Sequence, residues 1–108
     1  MTDDRLKQLG GQYLLRTREE LVLLHAEVAA ARQGKPEPLL SMQHTAHRIS
    51  GSGAMLGFKA ISIAAGDIER ILRRAEPVPT AEEWTTIMKQ LKQIETELDG
   101  QPRASDLD

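Results

Sequence analysis

Apolar residues recur at every third or fourth position in successive segments of this 108-residue chain, and this spacing limits the fold more than any other feature. Such a period places the apolar side chains on one face of an α-helix. Aromatic residues make up only 3% of the chain and cysteine is absent, so the core must consist of aliphatic side chains, without disulfides or thiolate metal sites. The pattern predicts an all-α protein.

The first two apolar segments are separated by residues that end or begin helices. Gly10 and Gly11 weaken the first segment, which predicts a short or kinked helix at the N-terminus. Thr17 and Glu20 have the spacing of a capping box, which predicts that a second helix begins there. This helix should end near Gly34, because glycine is a common residue at helix C-termini.

Three further helices follow, over about residues 37–54, over residues 59–74, and from Thr80 to Leu98. A second capping box, formed by Thr80 and Glu83, predicts the start of the last of them. Short connections between long helices favour antiparallel neighbours. We therefore predict an antiparallel up-down four-helix bundle with a short extra N-terminal helix.

The length of the chain fits one domain with a modest core. We assign the bundle to residues 1–99 and a flexible tail to residues 100–108, which lack an apolar period.

A net charge of −2 argues against a general nucleic-acid binder, which usually carries a basic excess. The charged N-terminus and the absence of a long apolar run predict a cytoplasmic protein.

The third predicted helix contains His47, one residue away from its apolar stripe and hence at the boundary between core and solvent. Gly51 follows one turn later on the same face. A glycine inside a helix costs about 1 kcal/mol relative to alanine, and clearance is the simplest compensating benefit, because it leaves the imidazole open to another protein. A half-exposed imidazole suits a nucleophile; an ordinary boundary histidine is the alternative.

Two other kinds of chemistry find little support. His44 and His47 share one helix face at a spacing that can hold a metal, but two imidazoles do not complete a site, and no metal is expected. The chain has no glycine loop for nucleotide phosphates followed by a lysine and a hydroxyl, so it should have no kinase activity of its own.

Glu69 is the expected partner of His47. If the chain reverses direction near residues 56–58, positions 47 and 69 are about equally far from the turn and would lie side by side. A carboxylate there can accept a hydrogen bond from one imidazole nitrogen and orient the ring. We therefore predict a hydrogen bond between His47 and Glu69.

The stretch His47-Arg48-Ile49-Ser50-Gly51-Ser52, followed by Leu56-Gly57, resembles the signature of histidine-containing phosphotransfer (HPt) domains. That signature reads His-x-Leu-Lys-Gly-Ser, with Leu-Gly after a short gap. Ser50 stands where the family usually has a lysine near the phosphoryl group. Glu69 occupies the position at which HPt-like domains often carry a Glu or Gln that bonds the ring.

The resemblance implies a phosphorelay intermediate with a four-helix bundle fold. His47 would accept a phosphoryl group from a kinase or a receiver-domain aspartate and pass it to another response-regulator aspartate. No cofactor is expected on this chain, because the partner receiver domain would bring Mg²⁺. The residues expected around the phosphoryl group are Arg48, Ser50, Gly51, Ser52 and Arg73.

An apolar docking surface with a polar rim is expected around the histidine. Its candidate residues are Leu40, His44, Ala54, Met55 and Phe58.

Two other functions remain open. The substitution at Ser50 makes a pseudo-HPt adaptor credible, which would bind a receiver or kinase without transfer. A structural bundle that dimerises through its helices, with His47 incidental, is the second.

Overall fold

The computed structural model describes residues 3–101, and within this range it contains four α-helices and no strand. Helix α1 spans Asp3–Arg32, α2 spans Pro38–Leu56, α3 spans Lys59–Arg74 and α4 spans Ala81–Asp99. Helix α2 packs against α1 and α3, and α4 packs against α3 and α1. The predicted four-helix bundle is confirmed. None of these helices is long and apolar enough to cross a membrane.

The predicted break near the N-terminus is wrong, because α1 runs without interruption through Gly10 and Gly11. Gly10 is buried, and a methyl group on it would lie 3.5 Å from the ring of Phe58. Thr17 does not cap a helix; it is 1% exposed, and its hydroxyl donates to the carbonyl of Tyr13 at 2.7 Å. Tertiary packing stabilises the continuous helix and outweighs the low helix propensity of two glycines.

The ends of the other helices follow their local sequence. Helix α2 has Pro38 in its first turn and ends at Gly57, whose φ of 88° is in the left-handed region. The amide of Phe58 donates to the carbonyl of Gly53 at 2.8 Å, as in a Schellman motif. The predicted capping box of α4, formed by Thr80 and Glu83, is present. Of the predicted tail, residues 102–108 lie outside the described range.

The core is mainly aliphatic, as the composition predicts. Its fully buried apolar side chains come from all four helices: Leu24, Met42, Ile49, Ile61, Ile68, Ile87, Leu91 and Ile94. Two aromatic residues, Tyr13 and Trp84, are also buried. Burial of this kind stabilises a helical protein by about 1.5–3 kcal/mol for each large aliphatic side chain, so the interior faces of the helices determine the fold.

Tyr13 connects α1 to the middle of α2. Its hydroxyl donates to the carbonyl of Ile49 at 2.8 Å, and its ring stacks on Phe58 with the ring centroids 5.2 Å apart. A methyl group on Gly53 would lie only 2.6 Å from the Tyr13 hydroxyl oxygen, whereas one on Gly51 would meet nothing within 4 Å. Gly53 is therefore required for the approach of Tyr13, and Gly51 has no such packing role.

We predict opposite effects on stability for two glycine-to-alanine substitutions in α2. Gly51→Ala should raise the free energy of unfolding by up to ~1 kcal/mol, because it improves helix propensity in open space. Gly53→Ala should lower the free energy of unfolding by about 1–2 kcal/mol. Its methyl group would overlap the Tyr13 hydroxyl, and the cost of this overpacking exceeds the gain in helix propensity. Urea unfolding of both variants measures the difference.

Replacing Tyr13 by phenylalanine provides the control for the Gly53 prediction. Because phenylalanine lacks the hydroxyl that the new methyl group would strike, Gly53→Ala should be less destabilising in the Tyr13→Phe background. A double-mutant cycle measures this coupling. Equal effects of Gly53→Ala in the two backgrounds would contradict the proposed contact.

Burial raises the pKa of Tyr13 from 10.0 to about 12, which predicts a loss of stability at high pH. The unfolded chain releases the phenolic proton first, so the stability contributed by the neutral phenol is present below about pH 10 and disappears towards pH 12. The expected loss is roughly 2–3 kcal/mol. The free energy of unfolding of the wild type should fall by that amount between pH 10 and about pH 12 relative to that of Tyr13→Phe. An unchanged difference between the two proteins across this range would contradict the prediction.

Candidate functional site

An exposed imidazole on α2 faces a mostly buried carboxylate on α3. The Nδ1 atom of His47 lies 2.8 Å from Oε2 of Glu69, so the predicted hydrogen bond is present. The His47 side chain is 71% exposed, whereas that of Glu69 is only 12% exposed. The ring is thus held at one edge while most of it faces solvent.

This hydrogen bond determines which imidazole nitrogen is available for chemistry. A carboxylate oxygen only accepts hydrogen bonds, so in the neutral ring Nδ1 of His47 carries the proton and the lone pair lies on Nε2. Within residues 3–101, no hydrogen bond reaches Nε2. A carboxylate at this position can stabilise the positive charge that would develop on the ring if Nε2 attacked an electrophile. Such an arrangement suits an oriented nucleophile.

Small residues bring α2 and α3 close enough for this contact. The hydroxyl of Ser62 donates to the carbonyl of Ser50 at 2.7 Å. On the next turn of α3, a methyl group on Gly66 would lie 3.2 Å from the Ser50 hydroxyl oxygen. These contacts fix the register of the two antiparallel helices, and with it the pairing of His47 and Glu69. The sequence analysis missed the roles of Ser62 and Gly66, although both lie on the helix face of α3 that contains Glu69.

Arg73 lies one turn after Glu69 on α3. Its guanidinium donates to Oε2 of Glu69, the same oxygen that accepts from His47. Arg73 itself is 60% exposed. Of the residues predicted to surround a phosphoryl group, it is the one that joins the His47–Glu69 pair directly.

Arg48 and Ser52 were predicted to lie beside the phosphoryl group on the histidine. In the structure, both line a groove between α1 and α2. The guanidinium of Arg48 forms an ion pair with Glu20 on α1. Burial, with a smaller contribution from the charge of Arg16, lowers the pKa of Arg48. Through this ion pair, Arg48 ties α2 to α1.

Glu20 is a residue whose role the sequence analysis misassigned. It was expected in a capping box, but it lies in the interior of α1 with a side chain only 12% exposed. The available signal was its position at the edge of the apolar stripe of α1, where a charge requires a partner on the neighbouring helix. Arg48 supplies that partner.

Ser50 faces α3 rather than solvent. Its hydroxyl lies 3.5 Å from that of Ser62, and the side chain is half-buried. Gly51 is exposed, one turn after His47, with no heavy atom within 4 Å of the place where a methyl group would stand. The open surface expected beside the histidine is therefore present.

The residues predicted for docking divide into two groups. Four of them are exposed on the outer side of α2, and Leu40 and Met55 are 60% and 83% exposed. The four residues are Leu40, His44, Ala54 and Met55. Phe58 differs from the prediction: its ring is half-buried, stacks on Tyr13 and packs against the core. It supports the hairpin from inside and offers little surface to a partner.

Metal coordination finds no support within residues 3–101. No group of three or more histidine and carboxylate side chains there could hold an ion. His44 and His47 both lie on the exposed side of α2, but the carboxylate beside His47 is already engaged by Arg73.

A family model described as Hpt domain matches residues 8–101, which is most of the chain. No curated protein and no solved structure shows significant similarity to the chain. Hpt domains are helical bundles that act in histidine phosphotransfer within phosphorelays and interact with receiver domains and kinases. With a family match that spans all four helices, this chain belongs to the Hpt domain family.

Proposed function

We propose that this chain carries a phosphoryl group on Nε2 of His47 between a kinase or receiver-domain aspartate and another response-regulator aspartate. The observation that supports this function most directly is the hydrogen bond from Nδ1 of an exposed His47 to Glu69. In the neutral ring this contact puts the proton on Nδ1 and the lone pair on the exposed Nε2, which is the arrangement that a nucleophile requires.

From this chain, the transfer step needs only the imidazole, which attacks the acyl phosphate of the partner. The Nε2 lone pair attacks phosphorus, a P–N bond forms, and the P–O bond to the aspartyl carboxylate breaks. The carboxylate of the donor leaves with the electron pair. Throughout the step, the Nδ1 proton stays on the hydrogen bond to Glu69, which offsets the charge that develops on the ring. Transfer to a second receiver reverses these bonds.

We propose that this chain binds no cofactor and that the partner receiver domain holds Mg²⁺. A phosphoryl group adds nearly two negative charges. In this chain Arg48 is already paired with Glu20 and Arg73 with Glu69, so its own residues offer limited compensation. Assigning Mg²⁺ to the partner is consistent with this distribution of charge.

The outer side of α2 is the proposed docking surface. Leu40, Ala54 and Met55 are exposed apolar residues that lie before and after His47 on this helix. Gly51 between them adds no side chain. Such a surface, apolar at its centre and polar at its rim, suits a transient complex with a receiver domain, and both partners could bring their reactive groups together there.

Phosphorylation of His47 is tested by incubating the chain with a phosphorylated receiver domain and Mg²⁺. Label that is stable in base and labile in acid should appear on the wild type. It should disappear in His47→Gln, because glutamine has no nucleophilic nitrogen. His25→Gln is the matched control, since it removes an exposed imidazole that also contacts a carboxylate, that of Glu95, but lies on α1 and outside the proposed docking surface, so it should retain the label.

The same experiment distinguishes the other functions. If the wild type binds phosphorylated receivers but acquires no label, the adaptor function replaces phosphotransfer. If it neither binds nor acquires label with several receivers and kinases, only a structural bundle remains. Label that persists in His47→Gln would move the transfer site to another residue.

The role of Gly51 in docking is tested with a pair of alanine substitutions. Gly51 and Gly11 are both exposed helical glycines with open space around them, so both substitutions should stabilise the fold by up to ~1 kcal/mol. Gly51→Ala alone should weaken receiver binding and slow transfer, because its methyl group stands beside His47. Affinity and transfer rate would be measured for both. Unchanged transfer in Gly51→Ala would contradict the clearance explanation.

A further inference from the structure

The carboxylate that orients His47 is shared between two donors. Oε2 of Glu69 accepts from Nδ1 of His47 at 2.8 Å and also from the guanidinium of Arg73. Glu69 is 12% exposed, whereas His47 and Arg73 are 71% and 60% exposed. A mostly buried carboxylate is therefore compensated by one permanent cation and by one ring that can be either neutral or charged.

The identity of the compensating group affects the nucleophile. A carboxylate with little access to water requires a nearby positive charge. Arginine supplies it permanently, because its guanidinium is always protonated. If Arg73 were absent, the imidazole could supply the charge instead, but only by taking a proton at Nε2. That proton would occupy the lone pair that attacks phosphorus.

We propose that Arg73 is a positioning residue that keeps His47 neutral by sharing Oε2 of Glu69. The expected effect on phosphorylation rate rests on the proposed function. The effect on the protonation state of the ring does not, and it can be measured independently. In this proposal, Arg73 acts on the imidazole through Glu69.

The other charged groups near this site do not replace Arg73. On α3, Arg70 is directed to Asp67, which also accepts from Gln90 on α4. On α2, Arg48 is paired with Glu20 of α1, and His44 is the titratable group one turn before His47. Within residues 3–101, Arg73 provides the one guanidinium or ammonium contact of Glu69.

Arg73→Gln removes the permanent charge and keeps a polar side chain of similar reach. Phosphoramidate is a suitable donor because it needs no docking: its P–N bond breaks, ammonia leaves, and a new P–N bond forms at Nε2. At about pH 7 the variant should be phosphorylated about two- to fivefold more slowly, the range that a partly exposed ion pair supports. The difference should disappear near pH 9, where imidazole is neutral in any case.

Two further variants test whether the effect belongs to this contact. Arg70→Gln removes a neighbouring arginine that does not touch Glu69, so its rate should match that of the wild type. Arg73→Lys keeps a positive charge at the same position and should restore most of the rate. A deficit in Arg73→Gln that is the same at every pH would indicate a structural role and overturn the proposal.

Nitrogen NMR of the His47 ring tests the inference without any phosphoryl donor. At about pH 7, the two ring nitrogens of Arg73→Gln should shift towards the values of a doubly protonated imidazolium, relative to wild type. Unchanged shifts would overturn the role of Arg73. If the wild type shows no phosphorylation at His47 while the NMR difference is present, the proposed function fails and the inference about Arg73 stands.

Discussion

The close approach of α2 and α3 is the constraint on which the functional site depends. Ser62 reaches the backbone of Ser50, and Gly66 leaves room for the Ser50 side chain. A larger residue at Gly66 would displace its neighbour by a few tenths of an ångström at the least, in a region where interiors are close-packed. Because a hydrogen bond depends strongly on distance and angle, the pairing of His47 with Glu69 relies on this packing.

Electrostatic pairing divides the charged residues around His47 into separate functions. Arg48, adjacent to the histidine in sequence, is directed to Glu20 and joins α2 to α1. Arg73, remote in sequence, is directed to Glu69 and joins the site. Both carboxylates are mostly buried, so each requires its own cation. The Arg48–Glu20 pair thus contributes to the stability of the bundle, and the Arg73–Glu69 pair lies at the imidazole. Either pair can be changed by mutation without removing the other.

The glycines of α2 have equally distinct roles. Gly53 faces the interior, where the Tyr13 hydroxyl occupies the space of a side chain, whereas Gly51 faces solvent without any packing contact. Both lower helix propensity by similar amounts. Packing within the chain compensates for this loss only at the interior glycine; for the exposed one, the proposed compensation is the approach of another molecule.

The sequence alone determined the periodic apolar faces, the helices after residue 37, the capping box at Thr80 and the pairing of His47 with Glu69. These features depend on local propensity and on the symmetry of a hairpin about its turn, and both are readable from residue order. Tertiary structure decided the continuity of α1, because burial of Gly10 and Thr17 outweighs the weak propensity there. It also decided that Arg48 pairs with Glu20 of α1 and that the ring of Phe58 stacks on Tyr13. Which neighbour a boundary side chain contacts depends on the rotation and packing of adjacent helices, which a single helical period does not specify.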